Sequence, residues 1–398
     1  IFGAAYGSSN GEPGYDPSVD FNVDGVVNVA DLAIFGADYG LTDCQTGSHS
    51  GRFTTYEGSA TCMQCHLTET LNVHASVHYQ WQGPTPFAVN LDEAGKLGAI
   101  NDFCTYPDIN FIGILTNVDG VQVDGGCAQC HVGLGLKPDP TPTAAQIENI
   151  DCLMCHSDNY ERKVATVDGD LRFVCAPEKM AVPLVLGVTD IHLPTRNSCI
   201  NCHSYAGGGC NNKRGDLEDV HRNPPDAMFD VHMAAVADGG AGLTCLDCHY
   251  TRNHRIAGRG TDLRPTDLNG EISCDQAGCH PTEPHGQTDL DRHTERVHCT
   301  VCHIPFFAKI ASTDMVRDYS LPAELDVEKR LYEPHILREA DVIPKYRFFN
   351  GFSTFYEFAT PAIPGESGRV VMADVLGAVT DPDAKIYALK HHLAEMAR

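Results

Sequence analysis

The chain has 398 residues, enough for two or three domains, and a formal net charge of −25 at pH 7. This charge argues against nucleic acid and anionic membrane surfaces as partners and favours cationic partners or calcium. No apolar stretch reaches the length of a membrane span. Eighteen cysteines are more than a cytosolic protein usually carries, so we expect a periplasmic or extracellular protein.

Residues 1–43 are predicted to form a small calcium-binding module of the dockerin-like, EF-hand-like type. Oxygen-bearing side chains recur at the spacing of a calcium loop, which needs six to eight oxygens, and Gly25 permits the tight turn. A helix is predicted to follow the loop. The alternative is an acidic turn without metal. The predicted calcium ligands are Asp20, Asn22, Asp24, Asn28 and Asp31, with the backbone carbonyl of Val26.

An internal repeat lies in this module, because residues 34–40 echo residues 1–7. Dockerin-like modules carry two loop–helix units, and the first unit here keeps only its tail. We therefore expect the sequence to begin inside a longer polypeptide. Residues 44–55, which contain Gly, Ser and Thr, are predicted to be a linker.

Residues 56–310 contain seven motifs of the kind that attaches haem c: two thiols bond a porphyrin and a histidine ligates its iron. Six have the form Cys-x-x-Cys-His, and the seventh has four residues between its cysteines. Zinc is the alternative, but it usually needs a fourth ligand at a recurring spacing. The predicted haem-binding cysteines are Cys62, Cys65, Cys127, Cys130, Cys152, Cys155, Cys199, Cys202, Cys245, Cys248, Cys274, Cys279, Cys299 and Cys302, and the proximal iron ligands are His66, His131, His156, His203, His249, His280 and His303.

The predicted fold class is mainly α with much irregular coil, because Pro, Gly, Asn and Asp recur between short apolar segments of residues 56–310. Ordinary side chains are too sparse there for a core. We expect the porphyrins to supply much of the buried apolar surface.

Residues 311–398 contain no haem motif and are expected to pack on the haem domain. Asp383 precedes a pattern with helical spacing, so a final helix is predicted. Its apolar face would hold Ile386, Leu389, Leu393 and Met396, and the helix would carry His391 and His392.

Of the 20 histidines, seven belong to the motifs, and the surplus predicts irons with a histidine on both sides. A six-coordinate iron keeps its ligands in both redox states, so electron transfer costs little rearrangement. Seven haems in so short a segment are also close enough for electrons to hop between them. The distal candidates are His78, His192, His221, His232, His254, His285, His293 and His298.

The segments around the motifs resemble the octahaem tetrathionate reductase family of multihaem cytochromes c. The likeness runs through much of residues 56–395 and is more specific than shared haem motifs. The segments that carry it are 61–66, 78–81, 151–156, 201–209, 215–217, 230–233, 245–258, 299–305 and 344–351.

The resemblance implies a lysine ligand for one haem, because the family's active-site haem is ligated by a lysine shortly after its motif. The matching residue is Lys137, after His131. Such a ligand must be deprotonated, and it is displaceable by substrate. The alternative is a solvated lysine before Pro138. The resemblance also brings Asn101 and Cys104 to that pocket, where the alternative for Cys104 is a disulfide with Cys44, Cys175 or Cys210.

Two departures from the family bear on function. The family has eight haems and this sequence shows seven motifs. The family's last motif lies beyond the segment that residues 385–392 resemble, so the sequence leaves open whether an eighth haem follows in a C-terminal part. The dockerin-like module is the second departure, and it indicates tethering or assembly.

Two functions follow. The first is a reductase of a small oxyanion or nitrogen species, such as tetrathionate, nitrite or hydroxylamine, at a haem ligated by Lys137. The second is an extracellular electron conduit without turnover, assembled into a filament through end-to-end contacts between copies. In that case His391 or His392 would ligate a haem of the next copy. Both functions require redox proteins as electron donors or acceptors, and the sequence leaves the choice of enzyme or conduit open.

Overall fold

The computed structural model describes residues 7–9, 11–15, 26–27, 49, 55–80, 82–91, 93–95, 111–204, 217–258, 267–268, 272–276, 278–328, 330–356 and 360–395. The chain divides into two compact units, which are described separately. The first unit comprises Ile1–Gln80, Val132–Ser198 and Asn253–Arg255, and the second comprises Trp81–His131, Cys199–Arg252 and Ile256–Arg398. The sequence-based division into module, linker, haem domain and C-terminal segment stays a prediction.

The helices in the described residues are short, and most are one or two turns long. Gly58, at φ 75°, precedes the longest of them. In order they are α1 Ser59–His74, α2 Ala144–Glu148, α3 Leu153–His156, α4 Leu184–Thr189, α5 Arg196–His203, α6 Cys245–Cys248, α7 Thr288–His293 and α8 Cys299–His303, with 3-10 turns at Cys127–Gln129, Pro177–Lys179, Asp219–Arg222 and Val236–Asp238.

Helices make up 22% and strands 21% of the structure, so the prediction of a mainly α fold is wrong. The turn-forming residues, from which coil was predicted, lie instead in the turns of short β-hairpins. The strands are β1 Gln82–Pro84, β2 Glu93–Gly95, β3 Gly113–Thr116, β4 Gln122–Gly125, β5 Arg162–Val167, β6 Asp170–Cys175, β7 Thr251–Arg252, β8 Arg255–Ile256, β9 Thr313–Asp318, β10 Glu324–Leu325, β11 Tyr332–Glu333, β12 His335–Glu339, β13 Lys345–Phe349, β14 Ser353–Phe355, β15 Ala373–Val375, β16 Lys385–Leu389 and β17 Leu393–Glu395.

The predicted C-terminal helix is also wrong, because the chain forms β16 and β17 there. β16 pairs antiparallel with β13, and β17 pairs parallel with β9 in a three-stranded sheet of order β12-β9-β17. Ala384, Ala388 and Lys390 are the buried residues of this segment, and the residues between them are half-buried. The Nζ of Lys390 donates to the Oγ1 of Thr313 at 3.0 Å. The spacing of hydrophobic residues in the sequence cannot predict such a polar contact.

The core of the first unit forms where α1 and α2 pack together. Tyr79, Val132 and Ile150 are buried in one cluster. The Tyr79 hydroxyl donates to the carbonyl oxygen of Gln146 at 2.9 Å and accepts a hydrogen bond from the Nδ2 of Asn149 at 2.9 Å. Burial raises the pKa of Tyr79 to about 12, so the phenol stays protonated and keeps its donor role.

The second unit has several small apolar clusters, each next to a different strand pair. One cluster contains Ala88, Leu91 and Phe355, and β14 carries Phe355. Another contains Phe307 and Val342, which also exchange backbone hydrogen bonds at 2.9 and 3.1 Å. Clusters of this size bury little apolar surface by side chains alone.

The C-terminal segment contacts the last haem motif within the second unit. The backbone N–H of Ile386 donates to the carbonyl of Arg296 at 2.7 Å, and the N–H of His298 donates to the carbonyl of Ile386 at 3.0 Å. β16 therefore fixes the backbone that leads into α8. No helix in the described part of the chain combines the length and hydropathy needed to cross a bilayer.

A buried ion pair lies beside the first unit's core. Asp151 is fully buried, and its Oδ2 is 3.3 Å from the Nη1 of Arg162. Arg162 also donates to the carbonyl of Gly133 at 2.9 Å and stacks over the Phe173 ring at 4.0 Å. Burial raises the pKa of Asp151, and Arg162 opposes that rise. Removing the cation leaves a buried carboxylate without compensation, which is costly.

We predict that Arg162→Met destabilises the haem-loaded protein by about 3 kcal/mol, because a buried carboxylate loses its partner. The matched control is Lys163→Met, which removes an ion pair with Glu178 that is half-exposed at both ends. That change should cost less than about 1 kcal/mol. Denaturant unfolding measures both, and equal losses for the two variants would contradict the prediction.

Candidate haem sites

The motif spacing places the attachment groups on one side of the backbone. Within a helix, residues three and four positions apart lie on the same face, as do the two cysteines and the histidine of a Cys-x-x-Cys-His motif. The structure realises this at the motifs of α5 and α8, and α3 begins directly after Cys152. α1 is kinked at its motif histidine, His66, whose φ and ψ are −117° and 38°. α6 holds the two cysteines of its motif and ends before the histidine.

Four motif histidines face a second histidine at nearly the same distance. Each pair contains one histidine of a motif and one from elsewhere in the same unit. The ring centres are 6.0 Å apart for His66 and His49, 6.3 Å for His156 and His254, 5.9 Å for His280 and His232, and 6.0 Å for His303 and His285.

This spacing fits an iron between the two rings. A metal bound at about 2 Å from each imidazole nitrogen separates the ring centres by about 6 Å. Directly stacked rings would lie closer, as His298 and Tyr387 do at 4.1 Å. The residues present therefore fit a haem iron with two axial histidines.

Backbone carbonyls orient two of the motif histidines. The Nδ1 of His156 is 2.9 Å from the carbonyl oxygen of His192, and the Nδ1 of His249 is 2.9 Å from that of Ala257. An Nδ1–H held in this way leaves Nε2 unprotonated and available to a metal. Burial lowers the pKa of His156, which favours the neutral, ligating form.

A carboxylate lies beside a third motif histidine. The Oε2 of Glu69, one turn along α1, is 3.8 Å from the Nδ1 of His66. Its interaction with the imidazole lowers the pKa of Glu69, so the carboxylate is charged at neutral pH. Such an acceptor strengthens a histidine as an iron ligand.

Thiols of different motifs interact in both units. In the first unit, interaction with Cys152 lowers the pKa of the Cys62 thiol, and interaction with Cys62 raises that of Cys152. In the second unit, burial first and then interaction with Cys299 raise the pKa of Cys274 to about 11. Porphyrins bonded to these thiols would have edges in close approach.

The structure brings three of the eight distal candidates next to a motif histidine: His232, His254 and His285. The sequence interpretation missed His49, which lies in the predicted linker. The surplus of histidines was the one signal for it, because neither spacing nor motif marks that position.

Other distal candidates have different contacts. The Nδ1 of His192 lies 2.8 Å from the carbonyl of Leu193, and its Nε2 accepts the N–H of Asp158 at 3.2 Å. His298 stacks on Tyr387 and caps α8. The Nδ1 of His221 lies 2.9 Å from the backbone nitrogen of Glu218. The backbone carbonyl of His78 accepts the N–H of Val132. His293 is the last residue of α7.

The segment that carries Lys137 is held by hydrogen bonds inside the first unit. The Nε2 of Gln146 donates to the carbonyl of Lys137 at 2.9 Å. The side chain of Asn149 donates to the carbonyl of Leu136 at 3.0 Å and accepts its N–H at 2.8 Å. Asp139 donates its N–H to the Oε1 of Gln146 at 3.0 Å. The backbone around Lys137 is therefore fixed, and the residue itself is exposed.

The ring near His131 differs from those near the four paired motif histidines. At 6.2 Å from its centre lies the ring of Phe111, which has no atom that can ligate iron. The ring near this motif histidine is therefore a phenyl ring, whereas those near the four paired motif histidines are imidazoles.

Several predicted residues lie outside the described part of the chain. Asn101 and Cys104 are among them, as are Cys44 and Cys210. Cys175 is described, and its thiol is 3.9 Å from the sulfur of Met180. Of the calcium loop only Val26 is described, in a bridge with Ser9; the remaining predicted ligands, Asp20, Asn22, Asp24, Asn28 and Asp31, are not.

Comparisons with known proteins show what the chain is similar to. The family model "Cytochrome c bacterial" matches residues 333–397, which contain no haem motif. An uncharacterized protein of Archaeoglobus fulgidus is 32% identical over 243 residues, which cover 52% of this chain and 78% of that protein. The crystal structure of an octaheme cytochrome c from Shewanella oneidensis matches with a TM-score of 0.62 and 26% identity, over 83% of this chain and 70% of that one.

Paired imidazoles beside haem motifs, together with these matches, define a multihaem c-type cytochrome that transfers electrons through covalently bound haem c. The chain belongs to the same family as that Archaeoglobus fulgidus protein, and the family-model and structural matches support a family of multihaem cytochromes c.

Proposed function

We propose that the chain relays electrons through seven covalently attached haems outside the cytoplasm, in the periplasm or beyond it. The spacing of four histidine pairs carries this proposal, because two axial histidines give an iron the same ligands in both redox states. When bound, the haems supply one-electron chemistry. The protein's part is to fix each imidazole and to keep neighbouring attachment sites in contact.

The thiol contacts support transfer between neighbouring sites. The Cys62 thiol interacts with Cys152 within the first unit, and the Cys274 thiol interacts with Cys299 within the second. Porphyrins bonded to interacting thiols would have edges close to each other, which would shorten the distance for electron transfer. The net charge of −25 favours cationic redox partners, whose association would weaken with salt.

The proposed ligation of one iron by His156 and His254 leads to a prediction about the spin state of that haem. His254→Ala should convert the haem of Cys152–His156 from six-coordinate low spin to high spin, because its second imidazole is lost. Electron paramagnetic resonance of the oxidised protein should then show a high-spin signal equivalent to one haem. His192→Ala is the control, since both nitrogens of His192 contact protein atoms. A high-spin signal in the control, or none in His254→Ala, would refute the assignment.

We further propose that the Cys127–His131 haem is the site where a small substrate such as tetrathionate, nitrite or hydroxylamine is reduced, with Lys137 as its displaceable ligand. The family resemblance supports this role. The non-ligating Phe111 ring near His131 distinguishes this motif from the paired ones. The hydrogen bonds of Gln146 and Asn149 keep the backbone around Lys137 in one conformation. In this proposal Asn101 and Cys104 line the same pocket.

The reductase proposal is tested with Lys137→Met in the haem-loaded chain. Because a thioether lacks the amine and binds ferrous haem firmly, as in cytochromes with Met/His ligation, substrate would displace it less easily. We therefore expect at least about a tenfold loss of reduction rate with whichever of the three substrates is turned over. Lys179→Met removes another exposed lysine of the same unit and should leave the rate unchanged. Equal rates in all three proteins would favour the second function, an electron conduit assembled from copies of this chain.

We also propose that residues 20–31 bind one calcium ion, which would order the N-terminal module for tethering or assembly. The oxygen-rich spacing of the loop supports this. Asp24→Ala should abolish calcium binding in a calorimetric titration of the full chain, while Asp16→Ala, outside the loop, should preserve it. If the unchanged protein takes up no calcium, the loop is an acidic turn.

A further inference from the structure

A single carboxylate clamps the distal histidine of one haem site in the second unit. Asp291 lies in α7, and its side chain is 10% accessible. Its Oδ1 accepts the backbone N–H of His285 at 2.9 Å and lies 3.2 Å from the Nδ1 of the same histidine. Its Oδ2 accepts the N–H of Gln287 at 3.0 Å. The carboxylate thus holds both the backbone and the ring of His285.

The clamp sets the direction in which the ring presents its other nitrogen. With Nδ1–H donated to Asp291, the Nε2 of His285 is left as the ligating atom. The ring of His303 lies 6.0 Å away, and the two ring planes differ by 15°. Hydrogen bonds, first of all that from the backbone N–H of His285, lower the pKa of Asp291, so it carries a negative charge at neutral pH.

The acceptor is charged here, whereas His249 of the same unit is held by the neutral carbonyl of Ala257. A hydrogen bond to a carboxylate is about twice as strong as one to a neutral acceptor. It draws the Nδ1 proton away from the ring and makes the imidazole a stronger donor. A stronger donor stabilises ferric iron more than ferrous iron.

We propose that Asp291 is a positioning residue that fixes His285 and lowers the reduction potential of the Cys299–His303 haem below that of sites held by backbone carbonyls. The inference rests on the proposed ligation of this haem by His285 and His303. With this lower reduction potential, the reduced haem would give up its electron readily to a neighbouring haem.

The test compares Asp291→Asn with the unchanged, haem-loaded chain by spectroelectrochemical titration. Losing the charged acceptor should shift one of the one-electron steps to a more positive potential. A tenfold change in ferric preference, the lower end of what such supporting residues contribute, corresponds to about 59 mV for one electron. The remaining steps should stay in place.

The matched control is Asp289→Asn in the same helix. Asp289 is 87% exposed and pairs with Arg292 at 3.5 Å, so this variant removes one negative charge of α7 without touching His285. A shift of one step in Asp291→Asn alone supports the proposal. No shift, or the same shift in both variants, overturns it.

His285→Ala separates this inference from the proposed ligation. If that variant shows a high-spin haem while Asp291→Asn shifts no potential, His285 is a ligand and the role of Asp291 is wrong. If His285→Ala stays fully low spin, the ligation itself is wrong. Asp291→Glu should keep most of the original potential, because the longer side chain keeps the negative acceptor.

Discussion

The constraint on which the proposed function depends is that an iron is fixed between two imidazoles. The cysteines of a motif set where its porphyrin would be bonded, but the second histidine has to come from a distant part of the chain. His254, in a short loop, lies beside His156, and His232 lies beside His280. In this proposal the irregular backbone between the motifs serves to place the second imidazole of each pair.

The surrounding contacts make sense as supports for those imidazoles. Carbonyls of His192 and Ala257 hold the rings of His156 and His249. The carboxylate of Asp291 holds the ring of His285, and that of Glu69 lies 3.8 Å from the Nδ1 of His66. A charged acceptor makes an imidazole a stronger donor to iron than a neutral acceptor does. Haems that all have histidine ligands can therefore differ in reduction potential within one polypeptide.

The sequence predicts the attachment chemistry well and the architecture poorly. A motif such as Cys152–His156 is local, so its helical turn and its histidine can be read from spacing alone. A distal ligand is a long-range pairing, and nothing near His49 distinguishes it from a linker residue. His192 and His254 looked equivalent in the sequence; the structure separates them because one ring is tied to Asp158 and the other faces His156. The C-terminal strands were missed because pairing of β16 with β13 overrides a helical spacing of apolar residues.

The contact between Cys62 and Cys152 has a consequence for how the protein is made. These thiols serve different porphyrins, yet in the folded chain they are each other's neighbours. In an oxidising compartment, a disulfide formed between them before cofactor attachment would block two attachment sites at once. The proposed haem attachment therefore requires both thiols to stay reduced until the thioether bonds have formed.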